Sequence, residues 1–466
     1  MALNRLPWLL SLCAVTALAQ VPNGAASASG ETAPFVTGPT AGGDVAIWLA
    51  PGSAKEALIL GVDPSSASSG FSTYRLDGGL FQSVVGPGPT TAIDVVHSVR
   101  ANGGLMDVVA VTTAAQQLLL YTPTGAATAG TLSQVGSAVT LPYPPVSAAM
   151  ARTNDGGLYV YVGDYQGHLM TYQQGDPAGP LAVSPINPPR VYTDKFNALV
   201  VDEGKGRLWA VVDNVGLYRI PLYPDKGDGT IAVPQGANGL LPNTNSLAIY
   251  STGDAGALLI SGSTNPVSAE TTFQIFSIEW GEISEVAKEI GRFTLDAGAG
   301  REGVAGSRGL AVANLALGFG YDKGLLVAHD ALNASGPNLK LVRWDELASS
   351  ASPRFPVDVR VDPRTPIGKF DGGGTTMTDG GMMMMETDGG SDGGSVTPGG
   401  CDAGTTLLAD GGCGKPTTGR DGGTSGGGGG VSFPSDSPSC GCGSAPMGAL
   451  LGVTALLLSR RRSRRG

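Results

Sequence analysis

Residues 197–220 read NALVVDEGKGRLWAVVDNVGLYRI, in which short apolar runs are separated by tight turns. The first two runs are separated by Asp-Glu-Gly-Lys-Gly and the next two by Asp-Asn-Val-Gly. Apolar runs of this length, bounded by Asp, Asn and Gly, are typical of antiparallel β-strands joined by turns. This stretch therefore predicts a meander of neighbouring strands.

Similar units recur on both sides of this stretch. They start near residues 44, 92, 146, 197, 246 and 309, so their spacing is 48 to 63 residues. Each unit contains three or four strand-like runs, and in the sixth unit VDVRV at 357–361 is the predicted fourth strand. A period of about 40–50 residues with four strands in each repeat indicates propeller blades.

We therefore predict an all-β fold, a six-bladed β-propeller that spans residues 30–363. A single four-stranded blade must bury its faces against neighbouring blades, so the six units stack around an axis. The first strand of each unit is expected to be the innermost and to line a central channel. Two β-sandwiches are the alternative, but they would not repeat with one period along the whole body.

Composition excludes several classes of protein. Of 466 residues, 73 are glycine and 32 proline, and charged residues amount to only 15%. This composition is unlike that of a coiled coil, and a net charge of −10 argues against a nucleic-acid binder. The three histidines, His97, His168 and His329, lack the spacing of metal ligands, and residues 30–363 contain neither a GxSxG elbow nor a GxxxxGK[ST] loop.

Residues 1–19 have the features of a secretory signal peptide. Arg5 precedes an apolar run, and Ala17 and Ala19 place small residues before a cut at Gln20. A buried N-terminal helix is the alternative. The sequence thus predicts export.

The region 368–439 is predicted to be a disordered linker rich in Gly, Asp, Ser and Thr. Asp-Gly-Gly recurs there, but the intervals are irregular, unlike calcium-binding nonapeptide repeats. The final segment, 440–466, contains Cys440 and Cys442, a predicted short hydrophobic helix and a terminal arginine cluster. An ordinary C-terminal membrane anchor is one interpretation of this segment.

Acidic residues recur at or near the predicted ends of inner strands and turns. Carboxylates that converge at one mouth of a propeller could bind a hard cation such as Ca²⁺, which takes 6–8 oxygen ligands. For each residue alone, the capping of its own turn is the simpler interpretation. The candidate metal ligands from this pattern are Asp44, Asp94, Asp202, Glu203 and Asp213.

Several strings resemble the β-propeller phytases, secreted six-bladed enzymes that remove phosphate from phytate. GGDVAIW at 42–48 resembles the DDPAIW opening of that family, and residues 197–220 resemble its EGxxADDExGxLYIAEEDxxIWKY segment. SLAIYSTGDAGALLISGS at 246–263 and the stretch 315–347 resemble later family segments. The tail from Cys440 resembles the MYXO-CTERM sorting signal of myxobacteria.

The family resemblance implies a calcium-dependent hydrolase with Asp202, Glu203 and Asp213 as catalytic residues, and it adds Asp330 to the candidate metal ligands. Other family positions are changed, since Gly43 stands in place of an acid and Asn197 and Asn245 in place of glutamates. The tail resemblance implies cleavage near its cysteines by a membrane protease, and display at the cell surface or outer membrane or release from it.

Two functions remain open at this stage. The first is a phytase-like phosphomonoester hydrolase that is a monomer and acts on phytate or a related ester, with activity reduced by missing ligands. The second is a non-catalytic surface propeller that binds a ligand or a protein. An enzyme needs adjacent calcium ions and basic groups that reach the phosphates, whereas a binding module needs neither.

Overall fold

The computed structural model describes residues 23–35, 43–63, 70–86, 88–124, 130–236, 239–252, 256–280, 285–365, 406–407 and 413–414. Contacts divide the chain into two units, Met1–Met377 and Thr378–Gly466. In the second unit, β26 (Thr406–Leu407) and β27 (Cys413–Gly414) form an antiparallel pair. The predicted signal peptide, the rest of the linker and the sorting tail lie outside the described residues.

Among the described residues of the first unit there are six sheets that follow one another along the chain, so the predicted six-bladed propeller is confirmed. The strands of blades one to three are β3–β6 (Val45–Trp48, Leu58–Val62, Gly70–Tyr74, Leu80–Val85), β7–β10 (Thr90–Ala101, Gly104–Thr113, Gln117–Thr124, Thr131–Thr140) and β11–β14 (Pro145–Arg152, Leu158–Asp164, His168–Gln174, Val183–Val191). Those of blades four to six are β15–β18 (Phe196–Asp202, Arg207–Val212, Gly216–Pro221, Thr230–Pro234), β19–β22 (Thr244–Ser251, Ala257–Thr264, Thr271–Trp280, Glu285–Asp296) and β23–β25 (Leu310–Ala313, Leu325–Asp330, Asn338–Arg343).

Within each blade, consecutive strands pair antiparallel, as the short turns require. The first strand is the innermost, as predicted, and each inner strand contacts those of the two neighbouring blades. The sequence missed β10, the outer strand of blade two, because its burial pattern is mostly exposed and it has no apolar face to signal it.

Hydrophobic clusters fill all six boundaries between blades. Successive residues of a strand point to opposite faces, so Ile47 packs towards blade six and Trp48 towards blade two. Both faces are buried, and this explains why the inner strands read as continuous apolar runs rather than as alternating ones.

The ring is closed by the N-terminal chain. β2 (Gly30–Glu31) pairs antiparallel with β25 and supplies the fourth strand of blade six, while β1 (Asn23–Ser27) adds parallel to β22 in blade five. The prediction that residues 357–361 form this fourth strand was wrong. The outer edge of β25 is occupied by β2, and helix α1 (Trp344–Ser350) follows β25 directly.

A buried ion pair holds this closure. Lys340 is fully buried, and its Nζ lies 2.6 Å from Glu31 Oε2, 2.9 Å from Asn333 Oδ1 and 3.4 Å from Asp330 Oδ2. Burial by itself raises the pKa of Glu31, but the hydrogen bond and charge of Lys340 outweigh burial, so its pKa lies below its ordinary value. The N-terminal strand β2 is therefore joined to β25 in blade six by charge as well as by strand pairing.

We expect Glu31→Gln to lower the free energy of unfolding by about 1–3 kcal/mol at pH 7, because Lys340 loses its closest carboxylate. Since the folded-state pKa of Glu31 is lowered, its contribution is present above the unfolded pKa and disappears as the pH falls through the folded one. Urea titrations of both proteins should therefore converge below about pH 4. The exposed control Glu279→Gln should change little, and an equal loss there would contradict the closure role of Glu31.

Candidate functional site

A channel along the propeller axis is the candidate functional site. All six inner strands line it, and it encloses about 230 Å³. The end at which the inner strands begin is called the upper mouth here, and the end at which they finish is the lower mouth. Most lining side chains are aliphatic, and the acids among them are Asp44, Asp94, Asp202 and Glu203.

Three of these acids bind backbone groups across blade boundaries. Asp44 Oδ2 accepts the Ile93 N–H at 3.1 Å, and Asp94 Oδ2 accepts the Met150 N–H at 2.6 Å. At the lower mouth, Glu203 Oε1 accepts the Arg152 N–H at 2.6 Å. Each inner strand is the edge of its sheet, so its inward N–H groups have no strand partner and these carboxylates satisfy them.

Asp44 and Asp94 are two partly buried acids that line the channel. Burial raises the pKa of Asp44 to about 7, and the charge of Asp94 adds to the effect. Burial likewise raises the pKa of Asp94 to about 7, with a further contribution from Glu203. Each of the two groups therefore favours a proton or a nearby cation at neutral pH.

Asp202 and Glu203 lie in the turn between β15 and β16 at the lower mouth. Glu203 forms an ion pair with Arg152, whose Nη2 lies 2.6 Å from Oε2. Asp202 Oδ1 accepts the Lys205 N–H at 3.2 Å, whereas its buried Oδ2 has no hydrogen-bond partner. Burial, followed by the charge of Glu285, raises the pKa of Asp202 to about 6.

Asp213 lies at the other end of β16, at the upper mouth. Its carboxylate contacts Asn197 Nδ2 at 3.1 Å and Lys195 Nζ at 3.4 Å. β16 has six residues, so about 20 Å of strand separates Asp213 from Asp202. The expectation that the acids share one mouth is therefore corrected, because the three predicted catalytic residues lie at opposite ends of one hairpin.

Asp330 is only 1% exposed and lies in blade six beside Lys340, apart from the residues that line the channel. It accepts backbone N–H groups from Ala305 and Leu332. Asp330 thus supports the loops of blade six. Within the described residues, no group of three or more His, Cys, Asp or Glu side chains is arranged to hold a metal ion.

Sequence reasoning missed a polar cluster at the lower mouth. Asp107 is 6% exposed, and it accepts hydrogen bonds from Trp48 Nε1 at 2.7 Å and from both terminal nitrogens of Arg364 at 2.7 Å. Nearby His97 accepts the Leu49 N–H at 3.1 Å, and burial lowers its pKa to about 4. Asp107 could have been noticed in the sequence as an acid within the apolar run LMDVVAVTT. Its partner Arg364 could not, because it lies 257 residues away.

The Phytase family model matches residues 6–367, which include the whole propeller. The chain belongs to the phytase family. Its fold and family support a phytase-like hydrolase in general terms, in agreement with the resemblance seen in the sequence. No helix among the described residues is long and apolar enough to cross a membrane.

Two solved structures with weaker similarity are crystals of BBS1N in complex with ARL6DN, soaked with lead and with mercury. The first has a TM-score of 0.37 and 15% identity, and the match covers 64% of this chain and 78% of that one. The second has a TM-score of 0.37 and 14% identity, with coverage of 62% and 74%. Similarity at this level says nothing about the site in this phytase-family protein.

The raised pKa values of Asp44 and Asp94 predict a pH effect on stability in the presence of a chelator. Between the unfolded and folded pKa values the folded state holds more protons, so stability falls as the pH rises from about 4 to 7. We expect the double variant Asp44→Asn, Asp94→Asn to have a flatter dependence of Tm on pH over this interval. The exposed control Asp77→Asn should follow the unmodified protein, and identical slopes in all three would contradict the raised pKa values.

Proposed function

We propose that this protein is a calcium-dependent phosphomonoester hydrolase that acts on phytate or a related phosphate ester. The observation that carries the proposal is the presence of two partly buried acids, Asp44 and Asp94, in the channel of a propeller that belongs to the phytase family. Both pKa values are raised to about 7, and each acid lies close enough to a second acid to raise its pKa further. A divalent cation would remove this electrostatic cost.

Asp44 and Asp94 fit a calcium ion by donor type and charge. Carboxylate oxygens are the preferred ligands of Ca²⁺, and each oxygen has lone pairs beyond the one that accepts a backbone N–H. Two acids are fewer than the 6–8 oxygens that Ca²⁺ takes, so water and backbone carbonyls would complete the shell. When bound, calcium neutralises phosphate charge and polarises the phosphorus–oxygen bonds.

The residues of the upper mouth would bind and orient the substrate. Lys195 is 37% exposed beside Asp213, and Arg308, two residues before the inner strand of blade six, is exposed. Cationic side chains in these positions can pair with phosphate oxygens, and guanidinium does so through two hydrogen bonds. Asn197 bonds both Asp213 and the Thr244 carbonyl, each at 3.1 Å, and so holds the rim between blades four and five.

A non-catalytic binding propeller is the second candidate function. It is favoured by the separation of Asp202 and Glu203 from Asp213, which lie at opposite ends of a strand. Glu203 is also neutralised by Arg152 rather than available to a cation. In this alternative the upper mouth binds a phosphate-containing ligand without hydrolysis.

Phosphate release from phytate by the chain that begins at Gln20 tests the proposal, measured with calcium and with a chelator. We expect phosphate release with calcium. In Asp94→Asn the rate of release should fall roughly 100-fold, because a calcium ligand is lost and the calcium that would balance the phosphate charge is held less tightly. Asp77→Asn serves as the matched control and should retain activity.

Calcium binding should be measured separately by the shift in Tm. A calcium-induced rise in Tm that is lost in Asp94→Asn, without phosphate release, would favour the binding propeller. The absence of both the Tm shift and phosphate release would contradict the proposed function.

We also propose export and display at the cell surface or outer membrane, followed in some molecules by release. The support lies in the sequence, in the N-terminal signal features and in Cys440, Cys442 and the terminal arginines. A membrane protease that processes the tail would be the partner, and the propeller would act as a monomer.

Cell fractionation tests this localisation. We expect replacement of both Cys440 and Cys442 by Ala to prevent tail processing and to change the mass and fraction of the recovered protein. Cys401→Ala is the matched control and should behave like the unmodified chain. Equal processing in both variants would contradict a sorting role for the cysteine pair.

A further inference from the structure

The last described residues of the propeller chain, 357–365, run across the lower mouth. This segment, called the strap here, has no regular secondary structure. Immediately before it, the Pro356 carbonyl accepts a hydrogen bond from Trp344 Nε1 in blade six at 2.9 Å. Within it, Val361 and Pro363 are among the residues that line the channel.

One end of the strap is attached to blade five. The hydroxyl of Tyr250 donates to the Asp358 carbonyl at 2.7 Å and accepts the Asp358 N–H at 2.6 Å. Tyr250 is fully buried, and its ring stacks on Trp344 at 4.3 Å, so the hydroxyl is held in a fixed position. A single phenol thus binds both backbone groups of one strap residue.

The other end is attached to blades two and three. Arg364 forms a bidentate ion pair with Asp107, with both N···O distances 2.7 Å, and the two side chains are 17% and 5% exposed. The Arg364 carbonyl accepts a hydrogen bond from Arg152 Nη1 at 3.2 Å. Charge-assisted bidentate pairs of this kind are among the strongest hydrogen bonds in proteins.

The two attachments lie on opposite sides of the ring, because blades two and five are three blades apart among six. The six steps from Asp358 to Arg364 reach about 20 Å when extended, enough to cross a propeller mouth. Val361 and Pro363 lie between the attachments, in the part of the strap that faces the channel.

From these contacts we propose that the strap is the floor of the channel and that Arg364 is its positioning residue. Held by Asp107 on one side and by Tyr250 on the other, Val361 and Pro363 cover the lower mouth. The channel is then a blind pocket that ligands enter from the upper mouth. This inference does not rest on phosphate hydrolysis, since it concerns access to the channel and not its chemistry.

Thiol labelling measures access through the lower mouth. Ser251 lines the channel where β19 ends, and Ser251→Cys places a probe there. In the full chain, a cationic maleimide is applied and the peptide that contains residue 251 is quantified by mass spectrometry, so the native cysteines do not contribute. Combined with this probe, Arg364→Ala should increase the labelling rate by about tenfold or more, because loss of a bidentate pair shifts the strap towards its open state.

Arg354→Ala is the matched control, since it removes an exposed arginine that lies outside the strap. It should leave the labelling rate unchanged, and a rise equal to that of Arg364→Ala would overturn the specific role of Arg364. Tyr250→Phe keeps the ring stack on Trp344 but removes both bonds to Asp358, and it should increase labelling as well. If Arg364→Ala does not fold, Tyr250→Phe decides the question.

Hydrogen exchange of the unmodified protein provides an independent measurement. The Asp358 N–H should exchange at least about tenfold more slowly than an unstructured amide, because its partner is a buried hydroxyl. Rapid exchange throughout residues 357–365, or unchanged labelling in both folded variants, would overturn the proposal.

Discussion

The inner strand of every blade is the edge of its own sheet, and its inward backbone N–H groups must find partners outside that sheet. Asp44, Asp94 and Glu203 provide three of these partners by reaching across a blade boundary. These acids therefore serve the fold itself by satisfying backbone groups in the channel. Burial also leaves Asp44 and Asp94 with raised pKa values, so that a proton or a cation beside them is favoured.

Two segments that flank the blades in the chain, β2 before them and the strap after them, complete the propeller. At the N-terminal side, β2 completes blade six, and Glu31 compensates the buried charge of Lys340. At the C-terminal side, the chain does not add a strand but crosses the lower mouth to Asp107. The two mouths differ in the groups that they carry. The upper one carries the Lys195–Asp213 pair and the exposed Arg308, and the lower one carries the pairs Arg152–Glu203 and Arg364–Asp107.

The repeat could be predicted because both faces of each blade are buried, which gives apolar runs that turns interrupt at regular intervals. Predicted unit starts at 44, 92, 146, 197, 246 and 309 lie within two residues of the observed inner strands. The fourth strand of blade six could not be predicted in this way. Local pattern favoured VDVRV, but strand pairing with β25 is decided by which segment reaches its edge, and β2 does so from more than 300 residues away.

For the candidate site, the sequence by itself determined which acids are present, which family positions are changed, and that the body is a propeller. Only the tertiary structure decided which acids meet. Asp202 and Asp213 are eleven positions apart in the chain, yet an antiparallel hairpin places them at opposite ends of the channel. Asp107 and Arg364 are separated by 257 positions, yet the ring brings them within 2.7 Å. Distance along a chain and distance in space agree only within a turn or a strand, and the contacts that shape this channel cross blade boundaries.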